Sequence, residues 1–201
     1  MDGGPGRLLA NRAAISCRRA VRIHPIGGYF GRRFHAPAGS RVVSTGPAVA
    51  KTVWTDADFD AMDWHDNAIH AVALEPVPDH PGRLLLDLDY IVEWVAPEAP
   101  ATTLSFWICP ATLVFDRAWD LTTDIDLRGW SFQLSLDAIT RSGPDERGIS
   151  DWTLSGDNFT IALSARGFTQ YLRRPPIHCP GWFLTVGERG GLSFDQRGYT
   201  L

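Results

Sequence analysis

The chain has 201 residues, 44% apolar and 21% charged, with a formal net charge of −4; this is the composition of a globular protein and excludes a collagen-like or wholly low-complexity chain. Cys17, Cys109 and Cys179 are far apart and form no C-x-x-C pair, so neither a disulfide framework nor a cysteine–zinc site is predicted, and a cytoplasmic location fits better than secretion. No apolar run approaches the roughly 20 residues that span a bilayer.

The charge is divided along the chain. Residues 1–51 hold eight Arg, Lys51 and a single acid, Asp2, a net of +8; residues 52–201 hold ten Arg and 22 acids, a net of −12. Gly and Pro punctuate the basic stretch and no helical or strand period is sustained there. It is read as a disordered tail over residues 1–52, ahead of one β-rich domain over 53–201. A second reading is that Met1 lies upstream of the true start, with translation beginning at Val42, Val43, Val49 or Val53. Its Arg-rich, acid-poor composition also fits an organelle-targeting peptide or a phosphate-neutralising arm.

Order begins near Trp54. Thr55 followed by Asp58 is an N-cap signal for a short helix over Asp56–Met62. Ala68–Leu74 is a first strand, and the prolines after it mark a turn. Leu84–Val95, LLLDLDYIVEWV, is the longest strand-like run. Leu84, Leu86, Leu88, Tyr90, Val92 and Trp94 share one parity and are predicted to be core. Asp87, Asp89 and Glu93 share the other, with Leu85, Ile91 and Val95.

Leu104–Phe115 is apolar on both parities, and Pro110 within it marks a bulge or an edge. Trp119–Leu127 is predicted as a separate strand carrying Asp120, Asp124 and Asp126. A further strand is predicted at Trp130–Leu136, and Phe168–Leu172 reads as another strand or a turn of helix. Hairpins are predicted at Trp152–Leu154/Phe159–Leu163 and Trp182–Val186/Leu192–Phe194. The expected fold is all-β or β-rich α+β: a two-sheet antiparallel sandwich or a curved, barrel-like meander of about eight strands with one short N-terminal helix.

Two groups of side chains stand out. Trp64, His65, Asp66 and His70 lie at the junction of the helix and the first strand. Imidazole beside carboxylate can bind a divalent cation or exchange protons. No established metal spacing accompanies them, and a His–Asp pair at such a junction is more often turn chemistry, so no metal and no cofactor are predicted. The second group is acidic. With both long strands in one sheet, Asp87, Asp89, Glu93, Asp120, Asp124 and Asp126 share a face opposite the core. That face is either a solvated surface or a docking surface for a basic protein. No nucleophile elbow, P-loop or dinucleotide fingerprint is present, which leans the reading away from an enzyme.

The short helix, the Trp64-His65-Asp66 triplet and the strand meander, with LLLDLDYIVEW and FWICPATLVF, resemble small bacterial β-rich families of unknown function. Some of these resemble immunity proteins of toxin–immunity systems. The resemblance spans about Trp54 to Arg174 and implies a non-enzymatic binding protein with a protein partner. The alternative is a metal-dependent hydrolase or small-ligand binder using His65, Asp66, His70 and the Asp87/Asp89 pair. No membrane association is expected, and nucleic acid is expected only through the Arg-rich tail.

Overall fold

Nine strands pair antiparallel into one curved sheet in the computed structural model, which describes residues 46–128 and 132–201. In order they are β1 (Val53–Thr55), β2 (Asn67–Val77), β3 (His80–Val95), β4 (Ser105–Ile125), β5 (Leu134–Ser142), β6 (Ser150–Gly156), β7 (Phe159–Ala165), β8 (Gly167–Leu172) and β9 (Ile177–Cys179). A 3-10 helix, Asp56–Ala61, follows β1, and a four-residue helix, α1 (Val186–Arg189), lies near the C-terminus. The predicted N-terminal helix is present. Its start is fixed by the predicted cap: the Asp58 carboxylate accepts from the Thr55 backbone N–H at 2.9 Å. Most of the predicted tail, with Cys17, and the start of the strand predicted at Trp130 lie outside the described residues. The body begins before residue 53, because Val49 packs on the core and Leu172 N–H donates to Thr52 O.

β4 is the spine. One edge pairs with β3, from Gly82 opposite Ala118 to Val95 opposite Ser105. The other edge pairs in succession with β9, β8 and β7. β7 continues through β6 and β5 to β2, which returns to β3, so the sheet closes on itself like a barrel. Where two strands were predicted, over Leu104–Phe115 and Trp119–Leu127, there is one strand of 21 residues. It bends at Arg117 and Asp120, both at φ 50, with a register shift between Trp119 and Thr122. Such irregularities turn a strand without ending it.

Pro110 lies inside β4, and its carbonyl accepts from Arg173 N–H just beyond the end of β8. A residue's N–H and C=O point to the same side of a strand, so the missing proline donor faces the gap between β8 and β9. This is how an interior proline is accommodated.

Alternation sorts the two faces of β3 and β4. Leu84, Leu86, Leu88 and Tyr90 join Cys109, Ala111, Leu113 and Phe115 in the main core. Phe59, Trp64, Phe115, Trp152 and Phe168 meet there edge-on or tilted, with centroids 5.4 to 6.4 Å apart, the arrangement that ring quadrupoles favour. The β6–β7 hairpin turns at Asp157-Asn158 as predicted. Gly156 before it is required, since a Cβ there would lie 1.9 Å from Ser135 O.

Two further expectations fail. Trp94, predicted to be core, is 41% exposed. The register shift between Ile91 and Glu93 breaks the alternation, and its ring packs against Phe106 at 5.1 Å. The C-terminal hairpin over Trp182–Phe194 does not form. Thr185 and Glu188 cap each other reciprocally to start α1, and Gly190, at φ 81, ends it. The segment instead lies over the outer face of β3 and β4. There Ile91, Phe106, Ile108, Cys179 and Leu184 make a second, smaller core. Both faces of this part of the sheet are therefore covered.

Candidate functional site

The structure does not bring the six predicted acids to one face. Asp87 and Asp89 lie opposite Thr112 and Pro110 and are fully buried. Glu93 is exposed. Asp120, Asp124 and Asp126 are also exposed, at the far end of β4 beyond the last residue that pairs with β3. Asp87 and Asp89 are thus corrected from surface to interior. Two buried carboxylates without partners would be prohibitively costly, and their partners are supplied by the C-terminal segment.

Arg189 is buried and addresses both acids. Its Nη1 donates to Asp87 Oδ2 at 2.7 Å, its Nη2 to Asp87 Oδ1 at 2.8 Å, and its Nε to Asp89 Oδ1 at 3.2 Å. Arg173 Nη2 also donates to Asp87. Ser193 N–H donates to Asp87 at 2.9 Å and Leu184 N–H to Asp89 at 2.7 Å. His70 Nε2 lies 2.9 Å from Asp89 Oδ2. Two carboxylates face two guanidiniums, and each acid accepts several hydrogen bonds, the condition under which buried ion pairs persist. This is a clamp that holds the C-terminal segment on the sheet. It removes His70, Asp87 and Asp89 from any solvent-facing chemistry.

The Trp64-His65-Asp66 motif forms a tight turn. Asn67 N–H donates to Trp64 O at 3.1 Å, His65 N–H donates to the Asp63 carboxylate at 3.0 Å, and Asp66 takes φ 62. Trp64 is buried and donates from Nε1 to Gln170 at 3.2 Å. Asn67, also buried, accepts from Ile91 N–H at 2.9 Å. Both side chains serve the fold. His65 is exposed, and its ring stacks on Trp94 with centroids 6.0 Å apart and planes 7° from parallel.

His65 and Asp66 acquire a companion that the sequence reading did not single out. A nitrogen of His65 and carboxylate oxygens of Asp66 and Asp137 all lie within 4.8 Å of one another. One imidazole and two carboxylates suit a divalent cation. A shared ion at about 2.0–2.2 Å from each ligand would require the three atoms to draw closer together. Asp137, on β5, has its carboxyl pushed up by burial and then by the negative charges of Asp157 and Asp66, while His65 opposes the shift.

Asp157, in the β6–β7 turn, continues the negative surface. It lines a shallow depression with Asp124 and Asp126, and Asp126 N–H donates to Asn158 O at 2.8 Å. Asp126 is partly offset by Arg128, whose Nη2 lies 2.6 Å from it. One end of the sheet therefore presents Asp66, Asp137, Asp157, Asp124 and Asp126 from four parts of the chain. A cleft of about 470 Å³ at the β2–β3 hairpin is mainly apolar, lined by Leu74, Val77, Leu84, Ala118 and Leu121, with Glu75, His80 and Arg83 as its polar members. Glu75 is already ion-paired with Arg83, Nη1 to Oε2 at 2.8 Å.

Fold and clamp define an all-β protein: a single antiparallel sheet closed on itself, with its C-terminal segment pinned across the outer face. No helix among the described residues is long and apolar enough to cross a membrane. Comparison with family models, with curated proteins and with solved structures finds no match.

Proposed function

We propose that this is a binding protein that docks a basic protein partner through the acidic end of the sheet. The reading keeps Asp124 and Asp126 from the predicted face, replaces the buried Asp87 and Asp89 with Asp66, Asp137 and Asp157, and leaves Glu93 and Asp120 outside the contact. The observation that supports it is the convergence of these carboxylates around the β6–β7 turn, where Asp137 is pushed up partly by its neighbours. Like charges held together are relieved when a cationic surface covers them, and such a surface also steers encounter. An immunity-type role, in which the partner is a basic toxin, is the form that the sequence resemblance suggests.

The test compares Asp124→Asn/Asp126→Asn/Asp157→Asn with a control, Asp79→Asn/Glu98→Gln/Glu146→Gln, which removes three exposed acids elsewhere. Each is titrated with a small basic protein at two salt concentrations. The reading predicts slower association and a flatter salt dependence for the first variant only. Equal losses in both would reduce the effect to net charge and overturn it.

A second reading rests on the His65, Asp66 and Asp137 ligand set: a divalent cation held at the edge of the acidic surface. Calorimetric titration with zinc or manganese should then give one site that is lost in His65→Ala. Absence of saturable binding contradicts it.

A further inference from the structure

Toward the other end of β4, where β8 ends, Arg173, Arg174 and Arg189 line a cleft of about 350 Å³ with Gly190, Gly191 and Asp195. The three guanidiniums are brought together by different constraints. Arg189 is committed to Asp87 and Asp89. Arg173, only 8% exposed in its side chain, uses Nη2 on Asp87 and Nη1 on Ser193 O. Its Nε is buried with no acceptor among the described residues. Leaving a charged donor unpaired in the interior is costly. Burial pushes the pKa of Arg173 down and the neighbouring Arg189 charge adds to this, against the pull of Asp87.

Arg174 is exposed and makes one hydrogen bond, from Nη1 to Glu188 O at 3.0 Å. Its guanidinium lies against Gly190, where a Cβ would come within 2.8 Å of Nη1; Gly190 and Gly191 have φ of 81° and 95°. Gly190 thus leaves room for the Arg174 guanidinium beside the cleft. The acid at the rim, Asp195, is engaged by its own neighbour, with Arg197 Nη2 at 3.0 Å.

We propose that this cleft is an oxyanion site that takes the phosphate group of a small phosphate monoester, held between the Arg174 guanidinium and the Arg173 Nε–H. Planar guanidinium donors match phosphate oxygens in pairs. An anion here accepts from the unpaired Nε and offsets the repulsion between Arg173 and Arg189. The cleft exceeds a bare phosphate and falls at the lower end of the roughly 300–1,000 Å³ typical of small-molecule sites. The proposal is independent of the acidic-end reading, since Arg173 adjoins Pro110 whereas Asp124 lies opposite Thr160.

The experiment uses the full chain, labelled with ¹⁵N, titrated with inorganic phosphate and with glycerol phosphate against chloride at equal ionic strength. Arginine Nε–H signals and calorimetry are the readouts. Both phosphates should bind saturably at one site and move the Arg173 Nε–H signal. Arg174→Ala, at an exposed position, should keep the parent's unfolding temperature and weaken binding roughly tenfold or more, as loss of a charge-assisted hydrogen bond predicts. No saturable change, or an Arg174→Ala variant that binds like the parent, overturns the site. Binding of inorganic phosphate with exclusion of glycerol phosphate overturns the ester assignment.

Discussion

Asp87 and Asp89 show how far a parity argument reaches at the scale of single residues. They do point away from the side that buries Leu86 and Leu88, as alternation requires. The error was to equate the opposite face with solvent. A signal was available: Leu85 and Ile91 share that parity with the two acids, and a face mixing isolated carboxylates with aliphatic residues is a covered face with internal partners. Those partners, Arg173 and Arg189, lie 86 and 102 positions from Asp87, a separation no local pattern encodes. Two neutral acids on the inner side carry a pH prediction. Burial raises the Tyr90 hydroxyl and the Cys109 thiol each to about 12. The unfolded chain releases these protons at roughly pH 8.5 and 10. Stability from keeping them protonated is complete below about pH 8.5 and is lost as the pH rises toward 12, where the unfolded state holds fewer protons. The thermal midpoint should therefore fall between pH 9 and 11. Cys109→Ala should flatten the first part of that decline, and Cys109 should resist thiol reagents in the native protein at pH 8.

At the scale of elements, strands with clean period-two patterns are legible: β2, β3 and the β6–β7 hairpin lie where alternation and turn residues put them, while Phe168–Leu172, which reads equally as strand or helical turn, is strand β8. β4 was split in two because its bends resemble turns in the sequence. The C-terminal segment reads as a hairpin because Trp182–Val186 and Leu192–Phe194 flank a Gly-rich run as hairpin strands would. The competing signal was the Thr185-x-x-Glu188 capping box, which starts α1 and thereby aims Arg189 inward. The segment acts as a strap whose removal takes Leu184 away and uncovers Asp87, Asp89 and the rest of the small core around Ile91 and Ile108. A chain ending at Pro180 should unfold at much lower urea concentration than the parent and bind a hydrophobic dye. Thr185→Ala, which removes only the cap, should cost about 0.5–2 kcal/mol in urea unfolding.

Across the whole molecule, the negative charge of the body separates into two populations with opposite roles. The inner pair is neutralised by arginines and holds two layers together. The outer set, around the β6–β7 turn, is left facing solvent and is the surface proposed above to meet a cationic partner. The sequence showed the excess of acids but not this partition, because the partition depends on where a 21-residue strand outruns its neighbour. Equilibrium urea unfolding of two charge-neutralised variants tests that division most directly. Asp87→Asn/Asp89→Asn leaves Arg189 buried and largely unpaired and should lose about 3–5 kcal/mol. Asp124→Asn/Asp126→Asn/Asp157→Asn should stay within about 0.5 kcal/mol of the parent, as exposed substitutions do. An inner variant as stable as the parent, or an outer variant that unfolds, would contradict the account.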